Sequence, residues 1–466
     1  MLQRCLALCL TCALFLALSA PVSAARVDGG SGQPQSATGN STATVPGNRS
    51  ISFDEIRGRV WSNNLTLKSA RESLKSAQAM DWDEAIGEMA DAIADLEDQI
   101  ELMTESSKNA LAAAQTALTT LLSGLLSTGD AIQDAGESMD ASGLSSALMG
   151  VISMVVSGNL AQMQVATLES TLESMEEQLE DLKEQKEDYQ KTLEDTEHQI
   201  DYAANQTVAG AESLYLSILS TEMQLEGLKE SQEATQRTLE EVQLRYDLGQ
   251  VSQLVLLQTQ NASESVDNSV ASLENTISTL YSSLQSLLGD TPTGQMTLTT
   301  TPSVTDRQIE GISYNAGLSR AKENSYTLYS SARSVENAEE EMNDALREEG
   351  KDSYQYEMAA YAYQSAVYQD QAAIAQFELS FQNLYKAIAP AQATLKDKEN
   401  SLAYEEKVYA AAEKKHELGL LSDNGLLEAQ ITLHTAQRDV QAAKLDLFTA
   451  YHSYNQAVQY GLVSTS

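Results

Sequence analysis

From Gly47 to Thr291 the chain contains no proline. A proline inside a helix costs about 3 kcal/mol, because it removes a backbone donor and its ring strikes the preceding turn. A run of this length without one suits long helices. The next two prolines, Pro292 and Pro302, bracket a Thr-rich stretch where Met296 and Leu298 alternate with threonine, which predicts an extended connector over 291–304. Only Pro390 follows. The length of 466 residues allows about three ordinary domains, but aromatics are 6% of the chain, too few to anchor several compact cores. With 29 Lys+Arg against 67 Asp+Glu the formal charge is −38, which excludes a nucleic-acid binder, since such a surface repels phosphate.

The first 24 residues read as an export signal. Arg4 is the positive start, Cys5 to Leu18 are apolar, and Val22-Ser23-Ala24 has the small-x-small form of a cleavage site. Cleavage after Ala24 removes Cys5, Cys9 and Cys12, so Cys9-x-x-Cys12 belongs to the signal and not to a redox motif. No lipid-attachment cysteine stands at the cleavage point. Residues 25–50, rich in Gly, Ser, Thr and Pro, read as a flexible linker. No later apolar run reaches the ~20 residues of a membrane-spanning helix, so the expectation is an exported chain without a helical anchor.

Apolar residues then recur at alternating steps of three and four. Ile86, Met89, Ile93, Leu96, Ile100 and Met103 form one seam, and Val165, Leu168, Leu172, Met175, Leu179 and Leu182 another, continuing through Tyr189, Leu193 and Ile200. This spacing keeps one stripe facing a partner helix, as in a coiled coil. Between Glu169 and Glu197 there are twelve acids and three lysines, a solvated face. The segment between the seams is apolar from Leu111 to Leu126 and from Leu144 to Val156, with glycines at 129, 136, 143 and 150. It reads either as a loose Gly/Ser hinge or as a small-residue face for close helix approach. Tyr354, Tyr356, Tyr361, Tyr363 and Tyr368 open another helical pattern and are expected to pack between helices.

An internal repeat carries the most information. Tyr246-Asp-Leu-Gly-Gln-Val-Ser-Gln-Leu-Val-Leu-Leu-Gln-Thr-Gln260 lies over His416-Glu-Leu-Gly-Leu-Leu-Ser-Asp-Asn-Gly-Leu-Leu-Glu-Ala-Gln430 at an offset of 170 residues, and Val270 and Val440 keep the register. The pattern is helix, turn, helix: a glycine past the helix end takes the left-handed conformation, and a serine caps the next helix. A second match, Asn64-Leu-Thr-Leu-Lys-Ser-Ala-Arg71 with Ser325-Tyr-Thr-Leu-Tyr-Ser-Ser-Ala332, has an offset of 261. The two halves are alike at their ends, and the first is longer in its middle by the 91 residues between those offsets.

The Asn-x-x-Leu opening (Asn64, Leu67), the turn from Arg245 to Gln260, its degenerate copy from His416 to Ser422 and the ending Leu287-Leu288-Gly289 resemble the TolC family of outer-membrane efflux and secretion proteins over about residues 50–462. The resemblance implies an all-α chain of elongated antiparallel helical hairpins in tandem duplicated halves, assembled as a homotrimer. Its turns would meet a membrane-fusion or adaptor protein of an inner-membrane exporter, ABC-type or other. On this reading 51–290 is the first helical repeat, with a long coiled-coil and Gly/Met insertion at about 80–205, and 305–462 is the second. Leu248, Gly249, Val251 and Ser252 in one turn, and Leu418, Gly419, Leu421 and Ser422 in the other, are the expected docking residues.

One departure from the family is large. Its members carry a pair of amphipathic strands in the middle of each half, and a membrane-crossing strand needs roughly ten alternating residues. The second half has only Glu348 to Ser353 there, room for a turn. The resemblance places the chain at an outer membrane, while the missing strands favour an extracytoplasmic or cell-surface position; membrane association stays open. No catalytic, cofactor or metal site is expected. Gly350-Lys351 lacks the rest of a phosphate loop, the helix beginning His416-Glu417 has Leu420 where a zinc protease needs its second histidine, and His198, His416, His434 and His452 are scattered. The alternative to a passive conduit or spacer is a coiled-coil strut or surface protein with no transport role.

Overall fold

A computed structural model describes residues 50–135 and 141–463, with side chains for 50–124 and 145–463. The expected signal at 1–24 and nearly all of the linker at 25–50 lie outside the described residues. The fold is all-α. Strand β1 (Ser50–Ile51) leads to α1 (Glu55–Asn63), α2 (Leu65–Gln78), α3 (Trp82–Ala135), α4 (Ala141–Asp247) and α5 (Gln253–Leu287). Strand β2 (Thr297–Leu298) follows, then α6 (Asp306–Glu310), α7 (Tyr314–Glu323), α8 (Tyr326–Glu348), α9 (Tyr354–Glu417) and α10 (Asp423–Tyr460). Contacts divide the chain into two units, residues 75–194 and the remainder, and α4 contributes to both.

In the larger unit (50–74 and 195–463) the two halves of the repeat fold alike. Each opens on a capped helix: Asn64 Oδ1 accepts from Leu67 N at 3.1 Å, and Ser325 Oγ accepts from Leu328 N at 3.3 Å. Helix α9 carries Pro390 within its 64 residues, which at 1.5 Å per residue is roughly 96 Å of rise. Helices α4 and α10 run antiparallel, held by Glu230 against His434 and Arg438, and by Glu212 against His452. In the connector between the halves Thr297 and Leu298 form a short strand, and Gly294 ahead of them has φ +69°. Ser50 and Ile51 pair in parallel with Thr297 and Leu298, so the linker ends one residue earlier than its composition suggests. Tyr215, fully buried, donates its hydroxyl to Thr300 O at 2.6 Å and accepts from Thr300 N at 3.2 Å, clamping the connector to α4.

Two apolar clusters hold this unit. One gathers Ile51, Ile56, Val60, Val208, Tyr215, Leu284 and Leu288; the other gathers Phe377, Phe381, Ile388, Leu447, Tyr454 and Ala457. Val270 and Val440, equivalent in the repeat, are both buried. The tyrosines at the start of α9 depart from expectation. Tyr356 and Tyr363 are half-buried, but Tyr354, Tyr361 and Tyr368, seven residues apart, are exposed. They form one outward stripe, because steps of seven return to nearly the same side of a helix.

The smaller unit (75–135 and 141–194) is a helical hairpin of α3 and the first part of α4. Lys186 Nζ bonds Asp83 at 2.5 Å, Tyr189 OH donates to Ala77 O at 2.8 Å, and Ser107 Oγ donates to Gly158 O at 3.0 Å. These pairs fix an antiparallel register. The seam residues from Ile86 to Met103 and from Val165 to Leu193 are its half-buried or buried positions, and the acids between them face solvent. Gly136 lies outside the described residues, and Gly129 and Gly143 lie where side chains are not described. Gly150 is helical with nothing near its Cα, whereas Gly158, not singled out by the seven-residue spacing, is the close approach: a Cβ there would lie 3.0 Å from Leu111 Cγ. The expectation of no membrane-length apolar helix is overturned. Helix α4 contains an 18-residue window of mean hydropathy 1.3, long and apolar enough to cross a membrane by length and composition. Its glycines, serines and Asn159 hide it from a search for unbroken apolar runs.

Four tyrosines give a pH prediction. Burial is the first cause raising Tyr189, Tyr281, Tyr326 and Tyr454 above the usual phenol value, and for Tyr281 the hydrogen bond to Glu222 at 2.6 Å adds to it. A group whose folded pKa is raised contributes stability that is whole below the unfolded value, about 10 for tyrosine, and is lost as pH rises beyond it. Urea midpoints should therefore fall steeply above about pH 10. Tyr281→Phe should lower the midpoint at pH 7 but flatten the alkaline fall. An unchanged slope in that variant would remove Tyr281 from the account.

Candidate functional site

The eight residues singled out by the repeat form two turns of the same construction. At the end of α4, Gly249 has φ +70°, its N–H bonds Tyr246 O at 2.9 Å, and Gln250 N bonds Arg245 O at 2.8 Å. At the end of α9, Gly419 has φ +71°, with Gly419 N to His416 O and Leu420 N to Lys415 O both at 2.8 Å. Crossed bonds of this kind satisfy carbonyls that a helix end leaves open, and they need a left-handed residue, hence glycine. Ser252 and Ser422 then cap the following helices, accepting from Val255 N at 3.4 Å and Gly425 N at 3.2 Å.

The helix after the second turn packs on the end of α4 that leads into the first. Asn424 Nδ2, in the first turn of α10, donates to Glu241 Oε2 near the end of α4 at 3.4 Å. Leu248 (63% exposed) and Leu418 (74%) project into solvent, as do Leu420 and Leu254, while Val251 and Leu421 are half-buried. Leu421 lies over Gly425, where a Cβ would come within 2.6 Å of its Cδ1. His416 Nε2 and Asp423 Oδ1, 2.7 Å apart, bridge the second turn from helix to helix. The site is thus two polar-backed turns that show apolar side chains.

Two features of this unit escaped sequence reading. The first is the opposite end of each half. Asn64 Nδ2 donates to Leu287 O at 2.9 Å, and Asn324 Nδ2 donates to Val458 O at 3.0 Å, so each half closes its last helix onto its opening cap. Gly289 (φ +74°) and Gly461 (φ +62°) sit at those closures. The second is the histidines. His416, His434 and His452 each pair with a carboxylate on another element, Asp423, Glu230 and Glu212, and His198 stacks near Tyr329 at 4.4 Å. Glu212, buried, also accepts from Gln456 Nε2 at 2.6 Å on the same Oε2, so that oxygen is engaged in helix packing. Among the described residues no three His, Cys, Asp or Glu gather as metal ligands.

No family model and no curated protein matches the chain. Solved structures similar to it include the CmeC outer membrane channel of Campylobacter jejuni, at 12% identity and a TM-score of 0.47 over 60% of this chain and 67% of that one. The outer membrane protein VceC of Vibrio cholerae is similar at 17% identity and a TM-score of 0.38, over 59% of this chain and 73% of that one. The outer-membrane channel OprN is similar at 13% identity and a TM-score of 0.43, over 60% and 72%.

Proposed function

We propose that the chain is a TolC-like component of an export system in the cell envelope. It is a passive helical conduit or spacer, assembled as a homotrimer, whose paired turns dock onto a membrane-fusion or adaptor protein served by an inner-membrane exporter. The observation that carries this reading is the pair of equivalent turns, built on Gly249 and Gly419 at the same end of α4 and α10, exposing Leu248 and Leu418. Leu248 and Leu254 at the first turn and Leu418 and Leu420 at the second are all exposed, and grouped apolar exposure marks an interaction site more than single residues do. The first half's opening, turn and ending, repeated in the second, support the family resemblance read from the sequence.

The test is dye efflux from producing cells. Deleting the gene should raise dye retention severalfold, and the exposed-site pair Leu248→Asp and Leu418→Asp should behave like the deletion while the chain accumulates normally. Efflux that survives the deletion, with altered cell-surface adhesion, would instead make the chain a passive envelope strut.

A further inference from the structure

The smaller unit carries a second exposed apolar surface, of a different kind from the turns. In a chain that is 21% charged, residues 109–129 of α3 and 141–168 of α4 contain no Asp, Glu, Lys or Arg. The register set by Ser107 and Gly158 lays roughly 109–125 beside 141–157. Seventeen shared levels at 1.5 Å make about 26 Å, at the lower limit for crossing a bilayer core. In sequence, Lys108 precedes the first charge-free run and Glu169 follows the second, with Asp130, Asp134, Glu137 and Asp140 between the two runs.

We infer that this hairpin spans a lipid bilayer and anchors the chain by helices. Three observations select lipid over a second protein. First, large apolar side chains of α4 are exposed on both sides of the buried Val151. At 100° per residue Leu148, Met149, Ile152, Val155 and Val156 cover about 120° on one side and Met154 stands on the other. No charged side chain interrupts them, and an exposed apolar surface of this kind marks an interaction site, a membrane among them. Second, the described threonine hydroxyls of α3 at this level are satisfied inside their own helix. Thr116, Thr119 and Thr120 donate to the carbonyls four residues back, at 2.9, 2.8 and 2.9 Å. This is how such residues avoid an unmet donor in hydrocarbon. Third, the helices meet closely at a small residue, where a Cβ on Gly158 would lie 3.0 Å from Leu111 Cγ; Ala113, Ala117, Ala147 and Gly150 line an open crevice. Close contact over small residues is what holds helices together where lipid is as apolar as leucine. The anchor does not depend on the docking role of the turns.

Depth-dependent quenching tests it. The full chain, with Cys5, Cys9 and Cys12 replaced by serine, carries a single Leu148→Cys or, as control, Glu173→Cys, each labelled with an environment-sensitive dye. With vesicles of neutral phosphatidylcholine, the label at 148 should brighten at least threefold and be quenched mainly by nitroxides at the bilayer centre. The label at 173 should respond to neither. Adding Ile152→Glu and Val156→Glu should cut the vesicle-bound fraction at least tenfold with helical circular dichroism unchanged; because this variant keeps residues 1–24, any binding by them is subtracted. A label at 148 that lipid nitroxides leave unquenched overturns the anchor. If that label also brightens with protein concentration alone, the surface belongs between copies of the chain.

Discussion

Gly289→Ala and Gly461→Ala should each destabilise the larger unit by about 3 kcal/mol or more, far beyond what the same change does at the exposed turns. Two costs add at these closures. Alanine in the left-handed conformation loses roughly 1–2 kcal/mol. In addition, its Cβ at 289 would stand 2.3 Å from Asn63 O and 2.7 Å from Asn63 C, and at 461 it would stand 2.3 Å from Ser325 Cα and 2.5 Å from Asn324 O. These are backbone atoms and have no rotamer to escape into. Moving them displaces the neighbouring Asn64 and Ser325, which cap α2 and α8, and disturbs the Asn64–Leu287 and Asn324–Val458 bonds. At Gly249 and Gly419 nothing lies within 4 Å of a built Cβ, so only the conformational term remains, roughly 1–2 kcal/mol. Urea unfolding measures both, as a shift in midpoint at constant slope. Equal losses at all four glycines would mean that the closures are not packed as described.

The same four glycines mark how far the sequence could be read. Gly249 and Gly419 were legible because their signals are local: a glycine, two crossing residues and a capping serine, repeated at a fixed offset. Gly289 was noticed only as part of an ending, and Gly461 not at all, because what makes them matter is a backbone some 136 to 226 residues away. The seams of the smaller unit were legible for the first reason, since periodicity is a property of neighbouring residues. The pairing of histidines with Glu212, Glu230 and Asp423 was not, since it follows from the register between helices. The charge-free hairpin was visible letter by letter, yet its serines, threonines and glycines masked it. Only the hydrogen bonds of Thr116, Thr119 and Thr120 reveal that those side chains ask nothing of water.

Phe381→Ala should cost about 3–5 kcal/mol, the usual toll for a buried phenylalanine, with little relief from collapse of the site. Phe381 is fully buried in the smaller of the two apolar clusters, its ring 5.5 Å from Tyr454 and 5.8 Å from Tyr314. Helix α7 approaches so closely that a Cβ on Gly317 would lie 3.1 Å from Phe381 Cζ and 2.3 Å from the Tyr454 hydroxyl. The surroundings cannot follow the lost ring. Tyr454 OH donates to Ser313 O at 3.1 Å, and Lys322 on α7 is paired with Glu378 on α9, so both walls are tied at polar points. Phe381→Leu should recover more than half of the loss by filling most of the volume, and Tyr454→Phe, which removes only a hydrogen bond, should cost about 1 kcal/mol. Urea midpoints ordered wild type, Tyr454→Phe, Phe381→Leu, Phe381→Ala would fit this packing. A loss below about 1 kcal/mol for the alanine variant would show that the second half draws its stability from helix registry and not from this ring.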